Sequence, residues 1–356
     1  MLNRISYLLA RNNSKMLVLK AIKSIFRIKF NYAISVISPN NSSLLESHLV
    51  SKTLTSPASQ IEDTQIDNNN NLLSRISLYN EEYLVEVKNV LVDMETGIAF
   101  MREKDPVAIL ESSNILAIEV SDYLRPRIPK AKMIGDWCVI SSRSYAHWLL
   151  QDLPRFLRLA DVKPNLQVAI SNHSQPYVHK FLELFNLRSS VELPVLYAES
   201  FFFLSAQYPI GIPSNRDLST LRAFQEGLDL ESNSDTESFH SKYRKIYISR
   251  KNSKRPLPNE EQIEKLMQSN GYEIVYLETI PLDLQIKIFS HAEIVCGAHG
   301  AGLYNIVWAK NCKKLVEIYD DTFKQDSLRQ IANRLGIPHF SSHYLEALNE
   351  TKLWTL

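Results

Sequence analysis

The chain has 356 residues, 45% of them hydrophobic and 22% charged, with a formal net charge of +1. That length allows two domains of ordinary size with real cores, and the charge balance gives no global reason to expect nucleic acid as a partner. The three cysteines, Cys138, Cys296 and Cys312, show neither zinc-type spacing nor a disulfide framework, which fits a reducing compartment.

Residues 1–75 read as a basic amphipathic segment followed by a polar linker. No run of about 18 apolar residues occurs, so a conventional membrane span is not expected. Arg4, Arg11, Lys15, Lys20, Lys23, Arg27 and Lys29 all precede the first acidic residue, Glu46. At helical spacing Lys20, Lys23, Ser24, Arg27 and Asn31 share one face of residues 16–31. Val18, Leu19, Ile22, Ile25, Phe26 and Phe30 share the other, with Lys29 as the exception. Such a helix either lies on an anionic membrane surface or packs on the main body. Lysines interrupt every apolar run and no small-residue cleavage site stands out, which argues against a cleaved signal peptide. Residues 39–75, rich in Ser, Asn, Thr and Gln, carry little core of their own.

Ordered structure is expected from about Ile76. Across residues 76–230, Tyr83–Val92, Trp137–Ile140, Leu166–Ile170 and Val191–Tyr197 read as strands, and Tyr145–Leu159 and Pro176–Leu187 as helices. The polar stretch Glu231–Lys242 reads as a domain boundary or a long surface loop. Residues 243–356 alternate more regularly. Lys245–Ser249, Tyr272–Leu277, Ile294–Gly297 and Leu315–Tyr319 are expected strands. Glu260–Asn270, Leu282–Ala292, Ala301–Ala309 and Asp326–Leu335 are expected helices, with Asn259 as an N-cap and Gly271 and Gly336 as stops. Four such units imply a parallel sheet with helices on both faces.

Candidate chemistry gathers at three strand ends. The turn His299-Gly300-Ala301-Gly302-Leu303 leads from a buried strand into a helix through small residues, a place where backbone N–H groups can meet a diphosphate. Arg250 follows the strand Lys245–Ser249, with Lys251, Lys254 and Arg255 beyond it. Ligands of open α/β sheets bind at such carboxyl ends, and guanidinium groups match phosphate oxygens. Glu317 lies inside an apolar strand and needs partners, for which ribose hydroxyls are suitable. In the first half, His147, Gln151, Arg155 and Arg158 share a helical face, with Asp152 at its border. His147 or Asp152 can serve as general base toward an acceptor hydroxyl, and an amphipathic surface helix accounts for the same spacing. No Asp-X-Asp, His-Glu-X-X-His, Cys/His cluster or Gly-X-X-X-X-Gly-Lys loop is present, so no metal site or cofactor is expected.

The order of these motifs resembles glycosyltransferase family 61. The matching residues are His147-Trp148-Leu149 with Leu153-Pro154-Arg155, Tyr247-Ile248-Ser249-Arg250, and Arg255 with Asn259-Glu260. Gln285 before a helix ending at Ala292, the His299–Leu303 turn with Asn305, and Val316-Glu317-Ile318 complete the set. The resemblance covers about residues 130–340. It implies a GT-B architecture, with two Rossmann-like domains facing an interdomain cleft, the donor in the C-terminal one and the acceptor in the N-terminal one. It also implies inversion at the anomeric carbon without a bound metal. Arg250, Arg255, Asn259, Glu260, His299, Gly300, Ala301, Gly302, Leu303 and Glu317 would then face a nucleotide sugar, and the acceptor would be a glycan or glycoconjugate. One departure stands out: Gln151 occupies a place where relatives often carry an acid, with Asp152 beside it, so the base stays open between His147 and Asp152. Two other classes fit the same motifs. One is a nucleotide-sugar epimerase or hydrolase, which turns over donor without acceptor. The other is a non-catalytic nucleotide-binding protein, which the Gln151 departure favours.

The expected setting is the cytoplasm, with residues 16–31 as a peripheral contact on the inner face of the membrane. On that reading the full chain floats with liposomes containing anionic lipid and sinks with neutral ones. Equal flotation after deletion of residues 16–31 would remove this segment as the anchor.

Overall fold

The computed structural model describes residues 49–54, 83–94, 97, 99–101, 107–109, 132–140, 144–171, 176–184, 191–193, 195–204, 212–228, 236–253, 255–320 and 326–347. The amphipathic segment 16–31, most of the polar stretch 39–75 and Lys254 lie outside them. Alternation of apolar residues builds two sheets. The first contains β1 (Leu49–Leu54), β2 (Tyr83–Asp93), β3 (Ala99–Met101), β4 (Val107–Ile109) and β5 (Met133–Ile140). A short helix α1 (Tyr145–His147), a π segment Trp148–Asp152 and helix α2 (Leu153–Val162) lead to β6 (Gln167–Ser171). Helix α3 (Pro176–Leu184), β7 (Val191–Leu193), β8 (Val195–Leu204) and helix α4 (Asn215–Gly227) complete this half. The strand order is β4-β3-β2-β8-β5-β6-β7, with β1 also paired to β2. Strands β8, β5, β6 and β7 run parallel, and β1 to β4 add an antiparallel wing.

The second half begins with helix α5 (Thr236–Tyr243) and alternates strand with helix. Its elements are β9 (Lys245–Ile248), α6 (Glu260–Ser269), β10 (Glu273–Val275), α7 (Leu282–His291), β11 (Ile294–Ala298), a 3₁₀ helix Ala301–Trp308, β12 (Lys314–Tyr319), α8 (Ser327–Arg334), β13 (His339–His343) and α9 (Tyr344–Ala347). All five strands are parallel, in the order β10-β9-β11-β12-β13. Among the described residues no helix is long and apolar enough to cross a membrane.

Period-two alternation divides each strand between two cores. In the first sheet Trp137, Ala169, Phe201 and Phe203 join the valines of β2 on one face. Cys138, Ile140, Val168, Ile170, Phe202 and Leu204 face the other way. In the second sheet Tyr247, Cys296, Val316 and Ile318 face one core. Ile246, Ile248, Val295 and Leu315 belong to the same cluster as Cys138 and Phe202. One continuous apolar core therefore joins the two sheets, filled by the helices between them. An aromatic series runs through it: Trp148 to Phe181 at 5.5 Å between ring centres, Phe181 to Phe224 at 5.6 Å, and Phe224 to Trp308 at 6.3 Å. The expected mixed α/β chain with parallel strands is present.

Several local expectations change. A strand, β1, forms within the stretch read as linker, and ordered structure begins before Ile76. The stretch read as one strand from Val191 to Tyr197 is two, β7 and β8, with different neighbours. In sequence Pro194, which cannot donate to a ladder, stands between them. The polar stretch Glu231–Lys242 contains most of α5, because Phe239 packs on α7, with its ring 5.3 Å from that of His291. Asn259 stands at the N-cap of α6 but makes no side-chain cap; its amide instead donates to the Tyr344 carbonyl at 3.3 Å. Residues Ala301–Trp308 wind as 3₁₀ rather than α.

Arg158 does not line a cleft. Its guanidinium meets the buried Asp217 carboxylate at 2.9 Å, joining α2 to α4. Asp217 also closes a capping box with Ser214. Removing one partner of a buried pair strands the other charge. Arg158→Ala is expected to cost about 3 kcal/mol, read as a lower urea midpoint at unchanged slope.

Candidate donor site at the strand ends

The chain leaves β9 toward β10 on one side and, through α7, reaches β11 on the other. Strand order therefore reverses between β9 and β11, the place where open α/β sheets leave a crevice beyond their carboxyl ends. Arg250 stands two residues past the end of β9, and His299 stands one residue past the end of β11. The structure brings them together: Nη1 of Arg250 donates to the His299 carbonyl oxygen. The guanidinium lies directly over Gly300, where a Cβ would come 2.6 Å from Nη1. At Gly302 a Cβ would come 2.9 Å from Leu277 Cδ1. Small residues in this turn thus make room for a cation rather than only for a bend.

Arg250 is held from below by Glu260, which is 4% exposed. Its Oε1 accepts from the Arg250 backbone N–H and from the Tyr247 hydroxyl, both at 2.9 Å, and its Oε2 accepts from Leu257 N–H at 3.2 Å. Glu260 therefore shapes the loop that carries Arg250. Glu264 does similar work beside it, accepting from Ser249 Oγ at 2.6 Å and the Tyr276 hydroxyl at 3.0 Å. Burial and the neighbouring charge of Arg255 lower the Arg250 pKa, opposed by Glu260 and Asp320. A guanidinium so placed remains a cation at neutral pH. Lys251 pairs with Glu261 at 2.8 Å on the exposed rim.

Glu317 has the partners its burial demands, and they are imidazoles. Its Oε1 is bound to Nδ1 of His299 and its Oε2 to Nε2 of His339 at 2.9 Å. The expected ribose hydroxyls would have to compete with these two rings. Burial alone raises the Glu317 pKa, but the bonds from His299 and His339 outweigh it and hold the carboxyl below its usual value. His339 went unread in the sequence because its strand, β13, is short and mostly polar. The only hint was the run Ile337-Pro338-His339-Phe340 directly after the helix stop Gly336.

The turn is also tied to the first half. Asn305, fully buried, donates through Nδ2 to the Gly302 carbonyl at 3.1 Å and accepts the Tyr145 hydroxyl on Oδ1 at 2.6 Å. Burial raises the Tyr145 pKa, which keeps the phenol a neutral donor. Gln285 has a structural use: its amide donates to the carbonyls of Leu277 and Ile280, pinning the turn after β10.

His147 precedes the π segment of the first half and Asp152 ends it. Ser144 accepts from the His147 backbone N–H at 3.4 Å, and His147 Nδ1 lies 3.4 Å from Oε1 of the buried Gln151. Asp152 and Arg155 face elsewhere, lining a small open concavity with Ile140 and Leu204, the last residues of β5 and β8. The single helical face expected for His147, Gln151, Arg155 and Arg158 is broken because the π segment adds a residue to its turn just before Pro154. Among the described residues no three His, Cys, Asp or Glu side chains converge as metal ligands.

A carboxyl whose folded pKa is depressed stabilises the fold above its unfolded value and loses that contribution as pH falls through the folded value. Urea midpoints should therefore show wild type losing its advantage over Glu317→Gln as pH falls from about 6 toward 3. Parallel curves for the two proteins would contradict an ionised Glu317.

The family model for glycosyltransferase 61 matches residues 145–316. No curated protein matches the chain. The matched span starts at Tyr145, whose hydroxyl reaches Asn305, and includes Arg250, Glu260 and the whole His299 turn. Through this span, just under half of the chain, the protein is similar to glycosyltransferase family 61.

Proposed function

We propose that the enzyme transfers a sugar, with inversion and without a bound metal, from a nucleotide sugar (a UDP-sugar as the first choice) to a hydroxyl of a glycan or glycoconjugate. The observation that carries this reading is the meeting of Arg250 and His299 where strand order reverses. Diphosphate oxygens are suited to a guanidinium at the mouth of a parallel sheet. With Arg255 close enough to depress the Arg250 pKa, two positive charges stand ready for the leaving group. The N-terminal sheet then faces the acceptor, as the GT-B reading of the two halves requires. Cell-surface polysaccharide synthesis at the cytoplasmic face is the setting that suits a basic N-terminal segment.

In the step itself, the acceptor oxygen forms a bond to the anomeric carbon while the bond from that carbon to the diphosphate breaks. The electron pair leaves with the nucleoside diphosphate toward Arg250 and His299. The acceptor proton passes to His147 or Asp152. Gln151 supports His147 in this role: an amide oxygen accepting from Nδ1–H leaves Nε2 as the basic nitrogen. The concavity at the ends of β5 and β8 supports Asp152.

Release of nucleotide from a panel of UDP-, GDP- and CMP-sugars, with mass analysis of the product, tests the assignment. Arg250→Ala and His299→Ala are expected to weaken donor binding by one to two orders of magnitude, about 1.4–3 kcal/mol, the range for a lost charge-assisted hydrogen bond. Gly300→Ala is expected to act in the same direction by displacing the guanidinium. Unchanged donor affinity in both Arg250→Ala and His299→Ala would sink the reading.

A further inference from the structure

Three strands contribute to one buried unit beside the crevice. His299 follows β11, Glu317 lies within β12 and His339 opens β13. Glu317 pairs in register with Gly297 on one side and Ser341 on the other, so its carboxylate spans the boundary between neighbouring strands. The side chains of His299, Glu317 and His339 are 11%, 7% and 6% exposed. An ionised carboxylate only accepts hydrogen bonds, so each imidazole must present an N–H to it. His299 is thereby protonated on Nδ1, and Nε2 is its nitrogen not bound to Glu317. His339 performs the same service from the far oxygen and leaves Oε1 to His299 alone. Removing His339 takes away one of the two donors that oppose the burial of Glu317. The carboxyl can then take up a proton or turn, and the proton on His299 Nδ1 is no longer dictated.

We propose that His339 is a positioning residue for donor binding: through Glu317 it fixes the tautomer and ring orientation of His299, so that Nε2 meets the diphosphate of a nucleotide sugar. The inference rests on the donor-site reading above. His339 lies beyond residue 316, where the family match ends, so that match does not supply it. The competing role is purely structural, a buried pair that fastens β13 to β12.

A double-mutant cycle separates the two. The full chain is titrated calorimetrically with uridine diphosphate, with guanosine diphosphate in parallel. His339→Ala and His299→Ala should each weaken binding about tenfold, the scale of one lost hydrogen bond to a charged group. The double variant should bind no more weakly than His299→Ala. His339→Gln keeps an N–H donor and should retain most of the affinity. Independently of any nucleotide, ¹⁵N shifts should show His299 protonated on Nδ1 in wild type and His339→Gln, and a mixture of tautomers in His339→Ala. If His339→Ala weakens binding equally in the His299→Ala background, His339 acts only through the fold and the proposal is overturned. If His299→Ala weakens binding while His339→Ala does not, the relay falls and the donor site stands. Wild-type affinity in His299→Ala, or no binding by wild type, overturns both.

Discussion

A carboxylate withdrawn from water has to be met by donors, and that requirement organises the second half of this protein. Glu260, Glu264 and Glu317 are all buried, and each draws its donors from more than one element. Glu260 ties the end of β9 to the loop entering α6. Glu264 ties that strand end to the end of β10. Glu317 ties the turn after β11 to β13. The carboxyl ends of the sheet are thus held in place from beneath, while the cations and the imidazole stand above. The arrangement follows from charge: the acids lie inside and fix geometry, and Arg250 stands at the strand ends over Gly300.

The same requirement explains what could be read in advance. Most strands and helices of the second half were legible because a two-residue period alternates with a 3.6-residue period and glycines mark the stops. The Arg250 and His299 positions followed from strand ends alone. Partners were harder. Glu317 announced that it needed donors, but which donors depends on strand order, and β13 has too few apolar residues to declare itself. Glu260 is expected to face the donor only through the family resemblance, whereas Tyr247, Arg250 N–H and Leu257 N–H take its oxygens. The wing of β1, β3 and β4 and the helix in the polar stretch before β9 are stabilised by tertiary packing that no local window contains.

The two halves do not meet as separate bodies with polar faces. Their helices share an apolar core, and polar ties join them at defined points. Tyr145 reaches Asn305 under the His299 turn. Gln225 and Arg222 of α4 satisfy the carbonyls of Trp308 and Ala309 at the far end of the same 3₁₀ helix. That helix, which begins at the crevice, is therefore fixed at both ends by residues from the other half. The positions of α1 and α4 and that of the turn at Gly302 are therefore coupled, through Tyr145 and Asn305 at one end and Arg222 and Gln225 at the other.

The π segment Trp148–Asp152 bears on how this helix compares between relatives. A π turn carries one more residue than the α turn it replaces, and each residue of an α-helix accounts for about 100° of rotation. Residues beyond such a turn face a direction that a count of positions does not give. Gln151 and Asp152 are neighbours along the chain, yet Gln151 is buried while Asp152 faces the concavity at the ends of β5 and β8. Correspondence of residues beyond this turn is therefore a matter of spatial superposition, and one residue inserted or deleted between Trp148 and Asp152 would redirect Asp152 although its own place in the sequence order is kept.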